Sequence, residues 1–299
     1  MKILLSGSSG LIGSSLVPFF RAGEHHVTRL VRRPAHEEPK EIAWDPAEGK
    51  LDPAALEAHD AVVHLSGANL GEGRWTAARK ALLVESRMKS TRLLAETLAR
   101  LTHPPRVMVS SSAIGFYGNR GDEALTEESS FGSGFLADLC RDWEAACQSA
   151  AAKGIRVVHL RTGMVLSPAG GALGKMLTPF KMGVGGVIGN GRQYMSWIAL
   201  DELLSVILFA LTHDALRGPI NATTPNPVTN REFTKTLGRV LGRPTIFPMP
   251  AFAARLAFGQ MADELLLSSS RVLPVKLQAA GYNFQLPDLD PALRHMLGK

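Results

Sequence analysis

Lys2-Ile-Leu-Leu-Ser6, followed at once by Gly7-Ser-Ser-Gly-Leu-Ile-Gly13, is the stretch that decides the fold. An apolar run of strand length, a glycine-punctuated turn and a helix over Ser14 to Arg21 together make a nucleotide-phosphate cradle. Gly7 permits the tight turn off the strand, and Gly10 lets the backbone approach a pyrophosphate with no Cβ in the way. Gly13 lets the helix pack close against the sheet. The phosphates then sit on the helix N-terminus, where free N–H groups and the positive dipole end point at them. The spacing is G-x-x-G-x-x-G rather than G-x-G-x-x-G, so its weight comes from its place directly after the first strand. Gly7, Ser9, Gly10, Leu11, Ile12 and Gly13 are the expected contacts.

Outward from this turn, the chain alternates strands and helices. Pro18 should kink the first helix or shorten its first half, because its ring removes the bond to the Ser14 carbonyl. Gly23 ends that helix, and His26 to Val31 reads as the second strand. Folds that bind NAD place a carboxylate at the end of this strand for the ribose hydroxyls. Here Arg32-Arg33-Pro34 stands in its place. Two guanidiniums favour a 2′-phosphate, so Arg32 and Arg33 point to NADP(H); the plainer alternative is a solvated basic turn. Glu41 to Trp44 makes a short third strand, and a brief helix opens at Asp52 or Pro53. Asp60 to Ser66 is the fourth strand, and the small-residue turn Gly67-Ala-Asn69 ends it. Leu65, Ser66 and Gly67 would flank the cofactor there. Trp75 to Leu101 is a long helical segment, and Arg87 is its residue placed near the cofactor.

Pro105 to Ser112 reads as the fifth strand and runs into Ala-Ile-Gly-Phe-Tyr117-Gly118. Hydroxyls gathered at a strand's carboxyl end can donate to a developing oxyanion, which makes Ser111, Ser112 and Tyr117 the candidate catalytic residues. They could equally end the strand by bonding to backbone. A helix follows from Phe135 to Lys153, and Gly154 caps it. Ile155 to Leu160 is the sixth strand, with Val165 just past it as a further cofactor contact. The glycine-rich stretch 163–191 holds a helix around Leu173 to Met182 and reads as a lid. A strand and helix over Trp197 to Leu211 come next, then a strand at Pro219 to Ala222. Asn230 should cap a helix from Arg231 to Leu241. The expected architecture is α/β: a Rossmann-like doubly wound parallel sheet over residues 1–240, with a small helical C-terminal lobe over 241–299. In that lobe Met249, Phe252, Leu256, Phe258 and Met261 read as core.

At 299 residues, 45% hydrophobic and 20% charged, the chain has the make-up of an ordinary globular protein. Its net charge of +6 is scattered rather than gathered into a basic run, which argues against nucleic acid as a partner. The two cysteines, Cys140 and Cys147, show neither zinc spacing nor a disulfide framework. No metal is expected, and a cytoplasmic setting is. No apolar stretch is long enough to span a membrane, and no signal peptide is readable.

Taken together, these residues resemble the extended short-chain dehydrogenase/reductase superfamily. Gly7-Ser-Ser-Gly-Leu-Ile-Gly13, the serine-rich fifth strand before Phe116-Tyr117-Gly118, and Gly191-Arg-Gln193 with Trp197-Ile-Ala-Leu-Asp201 carry the likeness. Three further stretches resemble an atypical subgroup often labelled nucleoside-diphosphate-sugar epimerase. They are Phe135-Leu-Ala-Asp-Leu-Cys-Arg-Asp-Trp-Glu144, Gly185-Gly-Val-Ile-Gly-Asn-Gly191, and Arg271-Val-Leu-Pro-Val-Lys-Leu277 with Gly281-Tyr-Asn-Phe284. The last belongs to the subgroup's own C-terminal domain, of the DUF1731 type. The resemblance implies a dinucleotide cofactor, a small-molecule substrate and, as is common in the superfamily, a homodimer.

The superfamily's chemistry rests on Tyr-x-x-x-Lys, in which lysine lowers the tyrosine pKa so that its hydroxyl can move a proton. In this chain those positions hold Leu136 and Cys140. The Arg and Asp that usually follow the motif glutamine are Met195 and Ser196, and the subgroup's His after Trp-Ile is Ala199. Two readings follow. One is an NADP(H)-dependent oxidoreductase, or an epimerase as a subcase, in which Tyr117 donates the proton and Ser111 or Ser112 holds a carbonyl oxygen. The alternative is a catalytically inactive NADPH-binding sensor or scaffold.

Overall fold

The computed structural model describes residues 1–37 and 40–299. Strand β1 (Lys2–Ser6) lies inside a seven-stranded sheet with β2 (His26–Val31), β3 (Glu41–Ala43), β4 (Ala61–His64), β5 (Val107–Ala113), and the strands Arg156–Thr162 and Gly218–Ala222. Every pairing in it is parallel. β1 pairs with β2 on one side and β4 on the other, so the strand order reverses at β1. That reversal opens a crevice at the carboxyl ends of these strands.

Alternation along β1 sets the two helix layers. Ile3 and Leu5 face a core shared with Leu16 and Phe20 and with Leu203 and Ile207 of the helix Leu200–Thr212. Leu4 faces the other way, against Leu94 and Leu98. Those leucines belong to α2 (Ala77–Arg100), which begins at a Thr76 cap. A strand apolar on both faces is what a sheet covered on both sides requires.

Several boundaries differ from the expected ones. α1 (Leu11–Ala22) starts three residues before Ser14, with Gly10 as its cap, so Gly13 lies within its first turn. No break occurs at Pro18, which is exposed, so water can take the Ser14 carbonyl bond it removes. The helix expected over Phe135 to Lys153 is two, α3 (Phe135–Ala145) and a short one over Gln148–Ala152. Thr229 rather than Asn230 caps the helix Asn230–Leu241, in a reciprocal box with Glu232. The Asn230 side chain accepts instead from the Ile188 N–H at 2.8 Å, pinning the glycine-rich stretch. Within that stretch Met164–Ser167 pairs with Trp197–Ala199, and the helix Gly171–Lys181 buries Leu173, Leu177 and Phe180 against Trp197 and Phe233.

The C-terminal region is helical: Ala251–Phe258, a π turn over Ala262–Leu266, Val275–Ala279 and Leu289–Leu297. Its side chains enter the cores of the rest of the chain, Leu277 behind the sheet and Leu293 beside Phe233. The core expected from Met249, Phe252, Leu256, Phe258 and Met261 does not form as such. Met261 is buried, but Phe252 is 71% and Leu256 75% exposed, because their helix turns Ala254 inward. Among the described residues, no helix is long and apolar enough to cross a membrane.

Candidate functional site

The crevice is built from the turn after β1. Gly7 has φ +73°, and a Cβ there would lie 2.7 Å from the Leu65 carbonyl carbon. The first turn is therefore pressed against the end of β4, where the Leu65 N–H also donates to Ser6 Oγ at 3.2 Å. A Cβ on Gly13 would stand 2.2 Å from the Gly7 oxygen, so the helix closes directly on the turn. Gly10 is different: its nearest neighbour would be 3.5 Å away, which leaves its outer face open. No side chain caps α1, and no acidic residue lies in its first turn. An uncapped, glycine-lined helix start is a fitting seat for a diphosphate.

The other expected contacts gather round this seat. Leu11, Ile12, Leu65 and Val165 pack as one half-buried rim on the core. Ser9 and Gly67 are exposed, and Ser66 is half-buried. Arg87 is buried beside Gly67, where a Cβ would be 3.2 Å from its guanidinium carbon. Its Nη1 donates to the Leu83 carbonyl at 3.0 Å, its guanidinium lies 4.8 Å over the Trp143 ring, and its Nε has no partner among the described residues. Burial pulls its pKa down to about 10, so the charge persists at neutral pH.

A buried polar chain holds that arrangement. The Trp143 indole N–H donates to Thr91 Oγ1 at 2.9 Å, and Thr91 is 2.9 Å from His64 Nε2. His64 Nδ1 in turn lies 2.7 Å from Ser6 Oγ. Burial pulls the His64 pKa down to about 4, so the ring is neutral.

Arg32 and Arg33 part company. Arg33 is bidentate to Glu41 of β3, at 2.8 Å to each oxygen. Glu41 also takes Arg29 and the His36 N–H, and the Arg33 bonds hold its carboxyl below the usual range. Arg32 is exposed and, among the described residues, has no ion pair. Beside it opens a pocket of about 380 Å³ lined by Arg33, Trp44, Asp45 and Lys50 as well as Arg32.

The candidate catalytic hydroxyls fare unevenly. Ser112 Oγ donates to Glu144 Oε1 at 2.7 Å, and Glu144 is bidentate with Arg161 at 2.8 and 2.9 Å. Arg161 Nη1 donates to the Tyr117 hydroxyl at 3.0 Å, and that hydroxyl donates to Asn221 Oδ1 at 2.7 Å. Tyr117 is completely buried, and burial pushes its pKa up. The proton donor expected at Tyr117 is thus walled off from the crevice, with its proton committed to Asn221. Ser111 is partly exposed, and its hydroxyl has no partner among the described residues. Leu136 packs against Gly115, and burial pushes the Cys140 thiol up to about 12. Neither can exchange a proton near neutral pH.

Glu144, Arg161 and Asn221 were missed as a network. Glu144 and Arg161 stand in the sequence as unremarkable charges, and Asn221 as a strand end. Only the pairing of β5 with Arg156–Thr162, and of that strand with Gly218–Ala222, together with the packing of α3 on β5, brings them together. Among the described residues, no three His, Cys, Asp or Glu side chains converge as metal ligands.

Comparison with known proteins places this geometry. The family model described as NAD dependent epimerase/dehydratase family matches residues 3–222, and the Domain of unknown function (DUF1731) matches 249–296. Epimerase family protein Mb2239 of Mycobacterium bovis is 46% identical over 292 residues, covering 97% of this chain and 96% of its own. Epimerase family protein YfhF of Bacillus subtilis is 33% identical, covering 99% and 98%. The crystal structure of human epimerase family protein SDR39U1 (isoform2) with NADPH superposes with a TM-score of 0.90 at 32% identity, covering both chains fully. With a family model over most of its length and such relatives end to end, the chain belongs to the NAD dependent epimerase/dehydratase family.

Proposed function

We propose that the chain binds NADP(H) in the crevice beside β1 and acts as an oxidoreductase, or an epimerase, on a small molecule. The observation that carries this is the uncapped, glycine-lined start of α1 with Arg32, unpaired among the described residues, at the end of the neighbouring strand. The backbone from Gly10 to Gly13 takes the diphosphate, and Arg32 takes the 2′-phosphate. Arg33, held by Glu41, braces the turn behind it. Leu65, Ser66, Gly67 and Val165 flank the cofactor, and Arg87 places a buried positive charge beside Gly67. When bound, the nicotinamide supplies or accepts a hydride. Ser111 is the hydroxyl at the end of β5 that, among the described residues, is free to hold a carbonyl oxygen. The NADPH in the human relative's structure supports the reading.

A fluorescence titration with NADPH and NADH tests it. NADPH should bind at least tenfold more tightly, a difference of about 1.4 kcal/mol. Arg32→Ala should bring the two affinities together. Equal affinities in the unaltered protein, or no binding of either, overturn the reading.

A second reading has its own support. Leu136 and Cys140 remove the usual proton carriers, and Tyr117 is sealed in. These favour an NADPH-binding sensor that turns nothing over. Oxidation of NADPH across a panel of carbonyl compounds separates the two: steady consumption with any member rules out the sensor.

A further inference from the structure

The amino-terminal ends of the strands carry a second concave site. A cavity of about 450 Å³ is lined by Lys2 at the start of β1, Arg21 in the last turn of α1, His25 and His26 at the entry to β2, Lys40 ahead of β3, and His59 ahead of β4. All the strands are parallel, so these amino-terminal positions lie a strand's length from the cofactor crevice, about 16 Å for five residues.

The lining carries three side-chain cations, Lys2, Arg21 and Lys40, and one carboxylate, Glu57. That carboxylate and Asp60 beside it both accept from backbone. Asp60 Oδ2 accepts from the Lys2 N–H at 2.6 Å. Glu57 accepts from the Thr102 and His103 N–H groups at 2.8 and 2.9 Å, bonds that hold its carboxyl below the usual range. Among the described residues, none of the six lining cations and imidazoles joins an ion pair, whereas Arg29 and Arg33 of the adjoining strand and turn both do.

The groups face one space. His59 is buried, and its Nδ1–H donates to the Leu56 carbonyl at 3.0 Å. Burial, with the charges of Lys40 and Lys2, holds this ring below the ordinary imidazole range. Two tight turns frame the rim. Glu24 (φ 58°) precedes His25 and Ala58 (φ 60°) precedes His59, and among the described residues they are the non-glycine positions with positive φ. Such backbone persists where its surroundings over-determine it, here through the His25 N–H on the Phe20 carbonyl at 2.9 Å.

We propose that this cavity binds a small phosphate-bearing anion, at a site separate from the cofactor crevice. Lysine and arginine heads supply point and forked donors to phosphate oxygens. The volume lies in the range of small-molecule sites and exceeds what an orthophosphate ion needs, which favours a diphosphate or an organic phosphate.

Calorimetric titration of the full chain with inorganic pyrophosphate tests this, with and without saturating NADPH, and with citrate as a polyanion lacking phosphate. The expected result is saturable binding that NADPH does not displace and that citrate matches at least tenfold less tightly. Arg21→Gln with Lys40→Gln, both exposed side chains, should weaken it at least tenfold while circular dichroism shows an unchanged fold. Absence of saturation, displacement by NADPH, equal binding of citrate, or an unaltered affinity in the double variant each overturns the proposal.

Discussion

At the scale of single residues, the three glycines of the first turn have three different tasks. Gly13 is a packing glycine: Gly13→Ala drives a methyl to within 2.2 Å of the Gly7 oxygen. Overpacking of that kind costs about 1–3 kcal/mol, so urea denaturation should show the loss even without cofactor. Gly10 is the open glycine of the proposed cofactor seat. Gly10→Ala meets nothing nearer than 3.5 Å, so stability should hold while NADPH affinity falls. Tyr117 makes the opposite case. Tyr117→Phe leaves Asn221 and Arg161 each short of a buried partner, a loss of about 1–3 kcal/mol read by denaturation. If the protein turns over, the rate at fixed saturation should not change, because this hydroxyl never meets the crevice. A rate falling with stability intact contradicts its buried role.

At the scale of elements, β1, β4, α2 and α3 are tied by the chain from Ser6 through His64 and Thr91 to Trp143. His64 titrates near 4 in the folded state, against an ordinary 6.5. A depressed imidazole pKa means that the unfolded chain binds more protons between those values. Stability is therefore full above about pH 6.5 and falls as pH drops towards 4, by about 3 kcal/mol for this group. His64→Gln should flatten that part of the stability-against-pH profile measured by denaturant midpoints. An unchanged slope means that His64 is protonated within the fold. The same chain seats Trp143 beneath Arg87, so the variant should also weaken NADPH binding.

At the scale of the molecule, Glu202 fastens the C-terminal region to the helix Leu200–Thr212. It is buried, and accepts from the Tyr282 hydroxyl at 2.5 Å and from the Gln285 and Leu286 N–H groups at 2.8 and 2.7 Å. Burial and the Glu202 charge push the Tyr282 hydroxyl well above its ordinary range, so the bond stays intact through neutral pH. Glu202→Ala leaves three partly buried donors without their acceptor. We expect a loss of about 3 kcal/mol and early proteolytic cutting after residue 241, checked by denaturation and limited digestion. Uncut protein of unaltered stability would show that the tail docks by its apolar side chains alone. The strand–turn–helix over residues 2–22, the long helix before the serine strand and the run of short C-terminal helices were legible without a structure. Each rests on spacing and turn chemistry within some dozen neighbouring residues, and that is local information. The glycine-lined turn on which the proposed cofactor seat rests was legible for the same reason, since Gly7, Gly10 and Gly13 act through their own backbone. What Tyr117 does was not: its partner Asn221 lies 104 residues away, and only the pairing of three parallel strands brings the two together. Nor could the pair at Arg32 and Arg33 be told apart before Glu41 arrived on the next strand to claim one of them. Phe252 and Leu256 show the same limit from the apolar side, because which face of a short helix is buried depends on what it packs against. By itself the sequence determined the folds of its own segments and the place of the glycine-lined turn proposed to seat a dinucleotide. Tertiary structure alone decided which hydroxyls and charges remain free to act, because burial and pairing are properties of distant parts of the chain meeting.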